Sequence, residues 1–340
     1  MYRKVKIGII GAGSRGGTFA TFLCAKGYDV EITKPKGGSL ILDNMINFEV
    51  QGALGNKSYL VPFVKNDTFT SNKDIIIICT KAYDLEHAIK VAKKFLKPNG
   101  VLLTLQNVMH LSEIANLVDI KRYVPIVIDW SSKRQSSTEI VVTSSGSIHI
   151  GALTQETLKY LPMLKKIFES IAPTVIEHNM YNFMLSRFIL HCNQSCLGAL
   201  TGYNLGIYLS EKAGKKIFIQ LIKEQLFLFE QLNVTIPPYN NILDYYKFVE
   251  NSVSGILYRS KMFRMLIHQN GNCVSVTLRQ LENGKRSELD YLCNYFNKLA
   301  EEHNINLPYN KAVAEMLYEI ERGERSIILQ NLCDKKLTNL

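Results

Sequence analysis

Short runs of apolar residues, each followed by turn residues, organise the first part of the chain. Such runs occupy residues 5–10, 29–33, 74–79 and 101–105. Helical spacing follows the first run at residues 18–26 and the third at residues 85–96, the latter ending at a predicted turn over residues 97–100. Continuous apolar strands are typical of a parallel sheet covered on both faces, and strands that alternate with helices predict a doubly wound sheet.

The pattern changes twice further along the chain. Residues 123–150 contain segments of period two, which predict antiparallel strands completing the first domain. Helical spacing then dominates residues 157–170, 182–201, 213–231, 242–265, 286–304 and 311–322. The predicted fold class is therefore α/β: a Rossmann-type doubly wound sheet in an N-terminal domain at residues 1–175, and an all-helical C-terminal domain at residues 176–340.

The turn after the first strand has the spacing G-x-G-x-x-G. Gly11 permits a tight turn, Gly13 lets a pyrophosphate approach the backbone, and Gly16 allows the helix and the strand to pack closely. Ser14 and Arg15 lie between these glycines, where a helix N-terminus offers amides and a positive dipole end to phosphates. We expect these five residues to bind a dinucleotide; the alternative is a tight turn with a structural role alone.

The end of the second strand discriminates NAD from NADP. An NAD site places an acidic residue there, whereas this chain has Lys34 and Lys36, which suit a 2′-phosphate. Glu31 is the competing candidate, about 20 residues after Gly11, although its position predicts that it lies within the strand. NADPH is the expected cofactor, and the alternative for both lysines is a solvated turn.

Composition and charge narrow the class of partner. The chain has 340 residues, of which 46% are hydrophobic and 21% charged, which excludes disorder, collagen and coiled coil as the main architecture. A net charge of +10 favours anionic partners. Because the basic residues are dispersed and interleave with no aromatic motif, we expect a small anion and no nucleic acid.

Seven scattered cysteines show no paired metal-binding spacing, so we expect reduced thiols and no metal site. The sequence contains no apolar run of about 18 residues and no basic-then-apolar leader, which predicts a cytoplasmic protein without membrane attachment.

Several blocks together resemble the ketopantoate reductase (2-dehydropantoate 2-reductase) family. They are the glycine turn, Thr80-Lys81-Ala82-Tyr83-Asp84, Leu105-Gln106-Asn107, residues 195–202, residues 287–291 and Leu307-Pro308-Tyr309-Asn310. The resemblance implies that Lys81 contacts the cofactor and that Asn107 contacts both nicotinamide and substrate. Taken alone, Lys81 could be an exposed loop lysine and Asn107 part of an Asx turn.

The family has a catalytic lysine on the first helix of its second domain, followed by polar residues four and eight positions later. This chain has Arg187, His191 and Ser195 at those positions, on one helix face. Arg187 could stabilise an alkoxide but is a poor proton donor, so His191 is the candidate general acid. The alternative for His191 is a hydrogen-bonded structural histidine.

Two further departures affect the substrate. The family's serine before the acidic block is absent, and Ser275 or Thr277 could replace it; Val108 replaces the glycine that usually follows Asn107. The resemblance implies that the retained Glu288 contacts substrate, cofactor or catalytic groups, whereas an ion pair with Arg187 is its structural alternative.

These observations predict an NADPH-dependent reductase that transfers a hydride to a small anionic 2-oxo acid. Arg187, His191 and Glu288 are the expected catalytic residues, and Asn107, Ser195 and Thr277 are expected to bind the substrate. The helical domain is expected to bind substrate and to form a homodimer. Two alternatives stay open: a dinucleotide-binding sensor or assembly protein that has lost catalysis, and an opine-type or 3-hydroxyacid dehydrogenase.

Overall fold

The computed structural model describes residues 5–34, 44–65, 68–105 and 111–340, with the side chains of these residues except those at 34, 65 and 111–113. The chain divides into two compact units, Met1–Tyr181 and Asn182–Leu340. The sequence places the domain boundary between residues 175 and 176, whereas this division falls just inside the helix Met180–Thr201.

The N-terminal unit contains one twisted sheet with helices on its faces. In the described residues its strands are β1 (Lys6–Ile10), β2 (Asp29–Lys34), β3 (Met45–Gly52), β4 (Lys57–Lys65), β5 (Lys73–Ile78), β6 (Leu96–Thr104), β7 (Tyr123–Ile128), β8 (Ser132–Arg134), β9 (Glu139–Val142), β10 (Ile148–Ile150) and β11 (Thr174–Ile176). Their spatial order is β11-β10-β7-β6-β5-β1-β2-β4-β3-β9-β8. The helices are α1 (Ser14–Ala25), α2 (Leu85–Phe95), α3 (Leu111–Leu117) and α4 (Leu161–Phe168).

The central strands are buried on both faces. Ile75 and Ile77 of β5 join the core that also contains Phe19 of α1. Ile76 and Ile78, which point to the opposite face, pack with α2 in a second core. This arrangement confirms the prediction of a doubly wound sheet, because a run such as Asp-Ile-Ile-Ile-Ile has an apolar side chain for each face.

The chain reverses its direction of winding at β1. β1 pairs in parallel with β2 on one side and with β5 on the other, and β5 pairs in parallel with β6. The carboxyl ends of these strands therefore lie along one edge of the sheet. Ligands of open α/β sheets bind at this edge, next to the point where the winding direction reverses.

The prediction for residues 123–150 was wrong in part. β7 is antiparallel to β10 but parallel to β6, and β9 is antiparallel to β8 but parallel to β3. Alternation of apolar and polar residues with a period of two identifies a strand but not the direction in which it pairs, which explains the error. The predicted turn at residues 97–100 lies inside β6, where the pairing with β5 is irregular.

The C-terminal unit is helical. In the described residues its helices are α5 (Met180–Thr201), α6 (Leu205–Tyr208), α7 (Lys212–Gln231), α8 (Tyr245–Val249), α9 (Val253–Asn270), α10 (Val276–Glu282), α11 (Cys293–Glu302), α12 (Pro308–Glu321) and α13 (Lys335–Thr338). The single helix predicted at residues 242–265 is two helices. The reason is local: Asp244 caps α8 and Ser252 caps α9, each accepting hydrogen bonds from amides of the following turn.

Aromatic side chains and a buried polar network hold these helices together. Phe188 of α5 stacks on Phe296 of α11, with ring centroids 5.2 Å apart. The Gln225 amide donates to Asn193 and Asn310, both at 2.9 Å, and joins α7 to α5 and α12. Buried amides need such partners, so this network fixes how the three helices are packed. In the part of the chain that the structure describes, no helix is long and apolar enough to cross a membrane.

Candidate cofactor and substrate sites

Gly11 closes the turn that follows β1. Its φ of +106° lies in the region that favours glycine. The Gly11 amide donates to the Thr33 carbonyl oxygen at 3.1 Å, and a Cβ at this position would lie 3.0 Å from the Thr80 amide nitrogen. The turn is therefore held between the ends of β2 and β5, where any side chain at position 11 would disturb it.

Gly16 and Gly13 differ in their surroundings. A Cβ at Gly16 would lie 2.0 Å from the Gly11 carbonyl oxygen, so close packing of α1 on the turn requires glycine there. A Cβ at Gly13 would meet no protein atom within 4 Å. Gly13 is also the N-cap of α1, at the end of the helix where the first backbone amides have no partner within the helix. An open position at a helix N-terminus fits the phosphates of a dinucleotide.

Ser14 and Arg15 extend this region along the sheet edge. The Ser14 hydroxyl donates to the Ser132 carbonyl oxygen at 3.4 Å, and Arg15 Nη1 donates to the Leu105 carbonyl oxygen, beyond the end of β6, at 3.5 Å. Burial raises the pKa of the nearby Cys79 thiol to about 12, against the opposing effect of the Arg15 charge. The Cys79 thiol is therefore uncharged, and the positive charge of this region comes from Arg15.

Arg134 is a contributor that the sequence did not reveal. Its Nη1 donates to the Ala12 carbonyl oxygen at 2.6 Å, and its guanidinium lies over the Phe48 ring at 6.0 Å. Two more hydrogen bonds, to the carbonyl oxygens of Ser136 and Ser137, fix the group. Arg134 is 122 residues from Ala12 in the chain, so only the pairing of β8 at the far edge of the sheet brings them together.

Glu31 lies away from the tip of β2. It is in register with Gly8, in the middle of β1, and its carboxylate accepts from the Thr70 amide at 3.0 Å and lies 2.9 Å from Lys73 Nζ. Burial tends to raise the pKa of Glu31, but the hydrogen bonds from Thr70 and Lys73 outweigh it and lower that pKa. Glu31 thus lies within the strand, as its position in the sequence predicted, and its carboxylate is paired with Lys73.

The remaining cofactor candidates lie at the ends of strands. The backbone of Lys34 ends β2, next to the Thr33 carbonyl that holds Gly11. Lys81 is half-buried after β5 and precedes the short helix Ala82–Asp84. Lys36 and Asn107 lie outside the described residues, and so does the side chain of Lys34.

The polar row of the C-terminal unit lies on α5. Arg187 is half-buried, with its guanidinium 5.6 Å from the centre of the Tyr239 ring, and His191, one turn further, is half-buried as well. Ser195 is 5% exposed. Burial raises the pKa of the Cys273 thiol, and the charges of Arg187 and Arg279 oppose that change.

Ser275 has a structural role in this arrangement. Its hydroxyl donates to the Ser195 carbonyl oxygen at 3.0 Å and accepts from the Leu278 amide at 3.3 Å, which caps α10 and fastens it to α5. Thr277 is buried within α10, at 3% exposure. Of the two candidates for the missing serine, Ser275 therefore has its hydroxyl committed to the fold.

Glu288 lies half-buried immediately before the short helix Leu289–Tyr291, on the segment that leads into α11. The preceding residue is anchored, since the Ser287 hydroxyl donates to Glu321 of α12 at 2.5 Å. Within the ranges that the structure describes, no group of three or more His, Cys, Asp or Glu side chains is arranged to hold a metal ion.

Two family models match the chain, one for each unit. The model described as "Ketopantoate reductase PanE/ApbA" matches residues 7–155, and "Ketopantoate reductase PanE/ApbA C terminal" matches residues 179–321. The chain belongs to the ketopantoate reductase family. The resemblance inferred from the sequence blocks is confirmed, and membership of this family makes the protein an oxidoreductase of the ketopantoate reductase type.

Individual relatives are distant. The 2-dehydropantoate 2-reductase of Aquifex aeolicus is 24% identical over 323 residues, covering 92% of this chain and 96% of its own. A D-mandelate dehydrogenase solved with NADH and anilino(oxo)acetate has a TM-score of 0.77 at 16% identity, covering 94% of this chain and 99% of its own. A dimeric ketopantoate reductase from Staphylococcus aureus has a TM-score of 0.71 at 12% identity, with coverages of 94% and 100%. At these identities the solved structures support the fold of the family.

Proposed function

We propose that this family member is an NADPH-dependent reductase of a small 2-oxo acid. The observation that supports this proposal most strongly is the glycine turn, in which Gly11 and Gly16 are enclosed while Gly13 faces open space at a helix N-terminus. Ser14 and Arg15 would hold the phosphates there. When bound, NADPH supplies the hydride that reduces the carbonyl carbon of the substrate.

NADPH is favoured over NADH by the residues on β2. Glu31, the residue that could have bound a ribose diol, is ion-paired with Lys73 inside the sheet. The basic residues Lys34 and Lys36 follow it in the sequence and would bind the 2′-phosphate. Lys81, Asn107 and Glu288 complete the proposed set of cofactor contacts.

The C-terminal unit would bind and polarise the substrate. Arg187 holds the carbonyl oxygen or the carboxylate and stabilises the negative charge that develops on the oxygen during reduction. Its guanidinium does not release a proton readily, so His191 donates the proton to the alkoxide oxygen. Asn107, Ser195 and Thr277 position the substrate, and Glu288 completes the catalytic group.

A catalytically lapsed dinucleotide-binding protein is the second candidate. It is favoured by two observations on α5 and α10: Arg187 replaces the family's lysine, and the Ser275 hydroxyl is used to cap a helix. Such a protein would bind NADPH with the same turn but would not consume it with any 2-oxo acid.

The test is consumption of NADPH, and separately of NADH, by the purified protein with a panel of 2-oxo acids. The panel begins with ketopantoate and includes an acid bearing an aromatic group, because the D-mandelate dehydrogenase was solved with such a ligand. Arg187→Lys is assayed in parallel, with the exposed Arg264→Lys of α9 as the matched control. We expect the wild type to turn over one of these acids, faster with NADPH than with NADH.

The outcome separates the candidates. If Arg187→Lys turns over ketopantoate and the wild type does not, the natural substrate differs from ketopantoate. NADPH binding without turnover by either protein would favour the lapsed candidate. We also propose that the protein forms a homodimer through its helical unit. The Staphylococcus aureus enzyme is described as dimeric, and light scattering tests whether this protein is a dimer.

A further inference from the structure

A cavity lined by cations lies on the C-terminal unit, on helices other than α5. Its volume is about 360 Å³, and its charged lining consists of Lys212, Lys215, Lys216, Lys223 and Arg259. The four lysines are on α7 and the arginine is on α9. None of these residues has a part in the proposed reduction.

Helix geometry places the lysines on one side of α7. Lys215 and Lys216 lie three and four residues after Lys212, and Lys223 lies seven residues after Lys216, which are spacings that recur on one helix face. Lys215 Nζ lies 6.0 Å from the centre of the Phe263 ring, and Lys216 Nζ lies 5.9 Å from that of Tyr309. These aromatic neighbours help to order the ammonium groups.

Arg259 forms part of the opposite wall. Its Nη1 donates to the carbonyl oxygens of Phe248 and Glu250, at 3.1 and 3.3 Å. The guanidinium is therefore fixed by backbone of the α8–α9 connection. A planar group held in this way is suited to bidentate recognition of a phosphate.

The charged lining is made of cations alone. Among the described residues, none of the five cations has an Asp or Glu oxygen within 4.0 Å. Glu224, next to Lys223 in the sequence, instead accepts hydrogen bonds from the amides of Tyr309 and Asn310 at 2.8 and 2.9 Å. In the described ranges these cations thus repel one another without a carboxylate at ion-pair distance, and an anion in the cavity would lower that repulsion.

We propose that this cavity binds a small polyphosphate, a compound with two or more linked phosphate groups. The lysines would bind phosphate oxygens as point charges, and Arg259 would bind two oxygens of one phosphate. Gln220 and Asn251 also line the cavity and bring amide donors for the remaining oxygens. The volume falls in the range of small-molecule sites, so the concave shape favours a compact anion over a nucleic acid strand.

The proposal is tested by calorimetric titration of inorganic triphosphate into the full-length protein. The titration is repeated with saturating NADPH, because the glycine turn could also bind triphosphate. The variant Lys212→Gln/Lys216→Gln removes two exposed cavity lysines, and the control Lys298→Gln/Lys311→Gln removes two exposed lysines from α11 and α12. We expect one site that persists with NADPH, a dissociation constant at least tenfold weaker in the cavity variant, and an unchanged value in the control.

The proposal is overturned if triphosphate does not bind, if NADPH abolishes its binding, or if the cavity and control variants lose the same affinity. Tighter binding of citrate, or of a short oligonucleotide, would also overturn the assignment to a small polyphosphate. The thermal midpoints of the two variants are compared with the wild type, so that a loss of fold is distinguished from a loss of the site.

Discussion

The glycine turn and the polar row of α5 differ in what they offer to a ligand. The turn offers backbone atoms, and its side chains matter chiefly by their absence, because a Cβ at Gly16 would clash with Gly11. The polar row offers the side chains of Arg187, His191 and Ser195 on a regular helix, and these would carry the proposed chemistry. A backbone site tolerates little change in sequence, whereas a side-chain site can exchange one polar group for another without disturbing the helix.

This difference explains how the chain keeps the family's cofactor turn while it departs from the family's substrate residues. Arg187 stands where the family has a lysine, and α5 remains a regular helix with the Arg187 guanidinium 5.6 Å from the centre of the Tyr239 ring. Fold and cofactor class are consequently predictable, and the identity of the substrate is the property most open to change.

The largest effect is expected from Arg187→Met. Loss of the group that stabilises the alkoxide should lower kcat for the accepted 2-oxo acid by about 100- to 1,000-fold. The dissociation constant for NADPH should not change, because Arg187 is not among the proposed cofactor contacts. Steady-state kinetics and a fluorescence titration of NADPH measure the two quantities. Arg264→Met is the control, and a fall in its kcat of the same size would refute a specific role for Arg187.

The next largest effects distinguish two glycines of the turn. In Gly16→Ala the new Cβ would lie 2.0 Å from the Gly11 carbonyl oxygen, so overpacking should cost about 1–3 kcal/mol of the free energy of unfolding. Gly13→Ala meets no protein atom, so its stability should equal that of the wild type. Its affinity for NADPH should nevertheless fall about tenfold, a change of about 1.4 kcal/mol. Denaturant unfolding and NADPH titration of both variants check this, and unaltered NADPH binding by Gly13→Ala would argue against phosphates at this position.

A smaller effect is expected at Arg134. Arg134→Gln removes the hydrogen bond to the Ala12 carbonyl oxygen, so the turn should be less ordered. The loss of one hydrogen bond costs about 1 kcal/mol, and the dissociation constant for NADPH should therefore rise about fivefold. The exposed neighbour Lys133→Gln removes the same charge from the same strand and should leave the constant unchanged. An equal loss of NADPH affinity in both variants would mean that the affinity depends on the net charge of β8 and not on the hydrogen bond from Arg134 to the turn.

The smallest effect concerns stability and pH. Burial opposes protonation of His149, but hydrogen bonds to Asp129 at 3.0 Å and Glu177 at 2.7 Å outweigh it, so the pKa of His149 is raised. The stabilisation from its charged form is complete below about pH 6.5, the ordinary histidine value, and is lost as pH rises through the raised pKa. His149→Gln should therefore be less stable than the wild type by about 1–2 kcal/mol at low pH, and the difference should shrink as pH rises.

Chemical unfolding of the wild type and His149→Gln between pH 6 and 9 measures this difference. The exposed His303→Gln is the control and should follow the wild type throughout. If the difference in free energy of unfolding between the wild type and His149→Gln stays constant over the whole pH range, the charged form of His149 does not stabilise the fold.

The parts that sequence could predict are those coded locally. β1, the glycine turn and β5 follow from apolar runs and glycine spacing. Lys81 was singled out by the family resemblance, and its position after a predicted strand agrees with that, because ligands of open α/β sheets bind at the carboxyl ends of strands. The hairpin of β3 and β4 was missed although β3 alternates buried and exposed residues, since Pro62 weakens the strand pattern of β4.

Other features depend on contacts between distant parts of the chain. Arg134 reaches the turn only through the wrapping of the sheet edge, which no sequence pattern specifies. The use of the Ser275 hydroxyl as a cap depends on the approach of α10 to α5. The division between α8 and α9 is a different case, because Asp244 and Ser252 are recognisable capping residues that the helical spacing obscured.

The central claim is that the intact cofactor turn serves the reduction of a 2-oxo acid by the altered α5 row. The most direct test is to incubate the purified protein with NADPH deuterated at C4 of the nicotinamide and the panel of 2-oxo acids, and to locate the deuterium by mass spectrometry and NMR. The account predicts deuterium at C2 of one hydroxy acid product and its loss in Arg187→Met. Binding of NADPH without transfer to any acid, in the wild type and in Arg187→Lys alike, would contradict it.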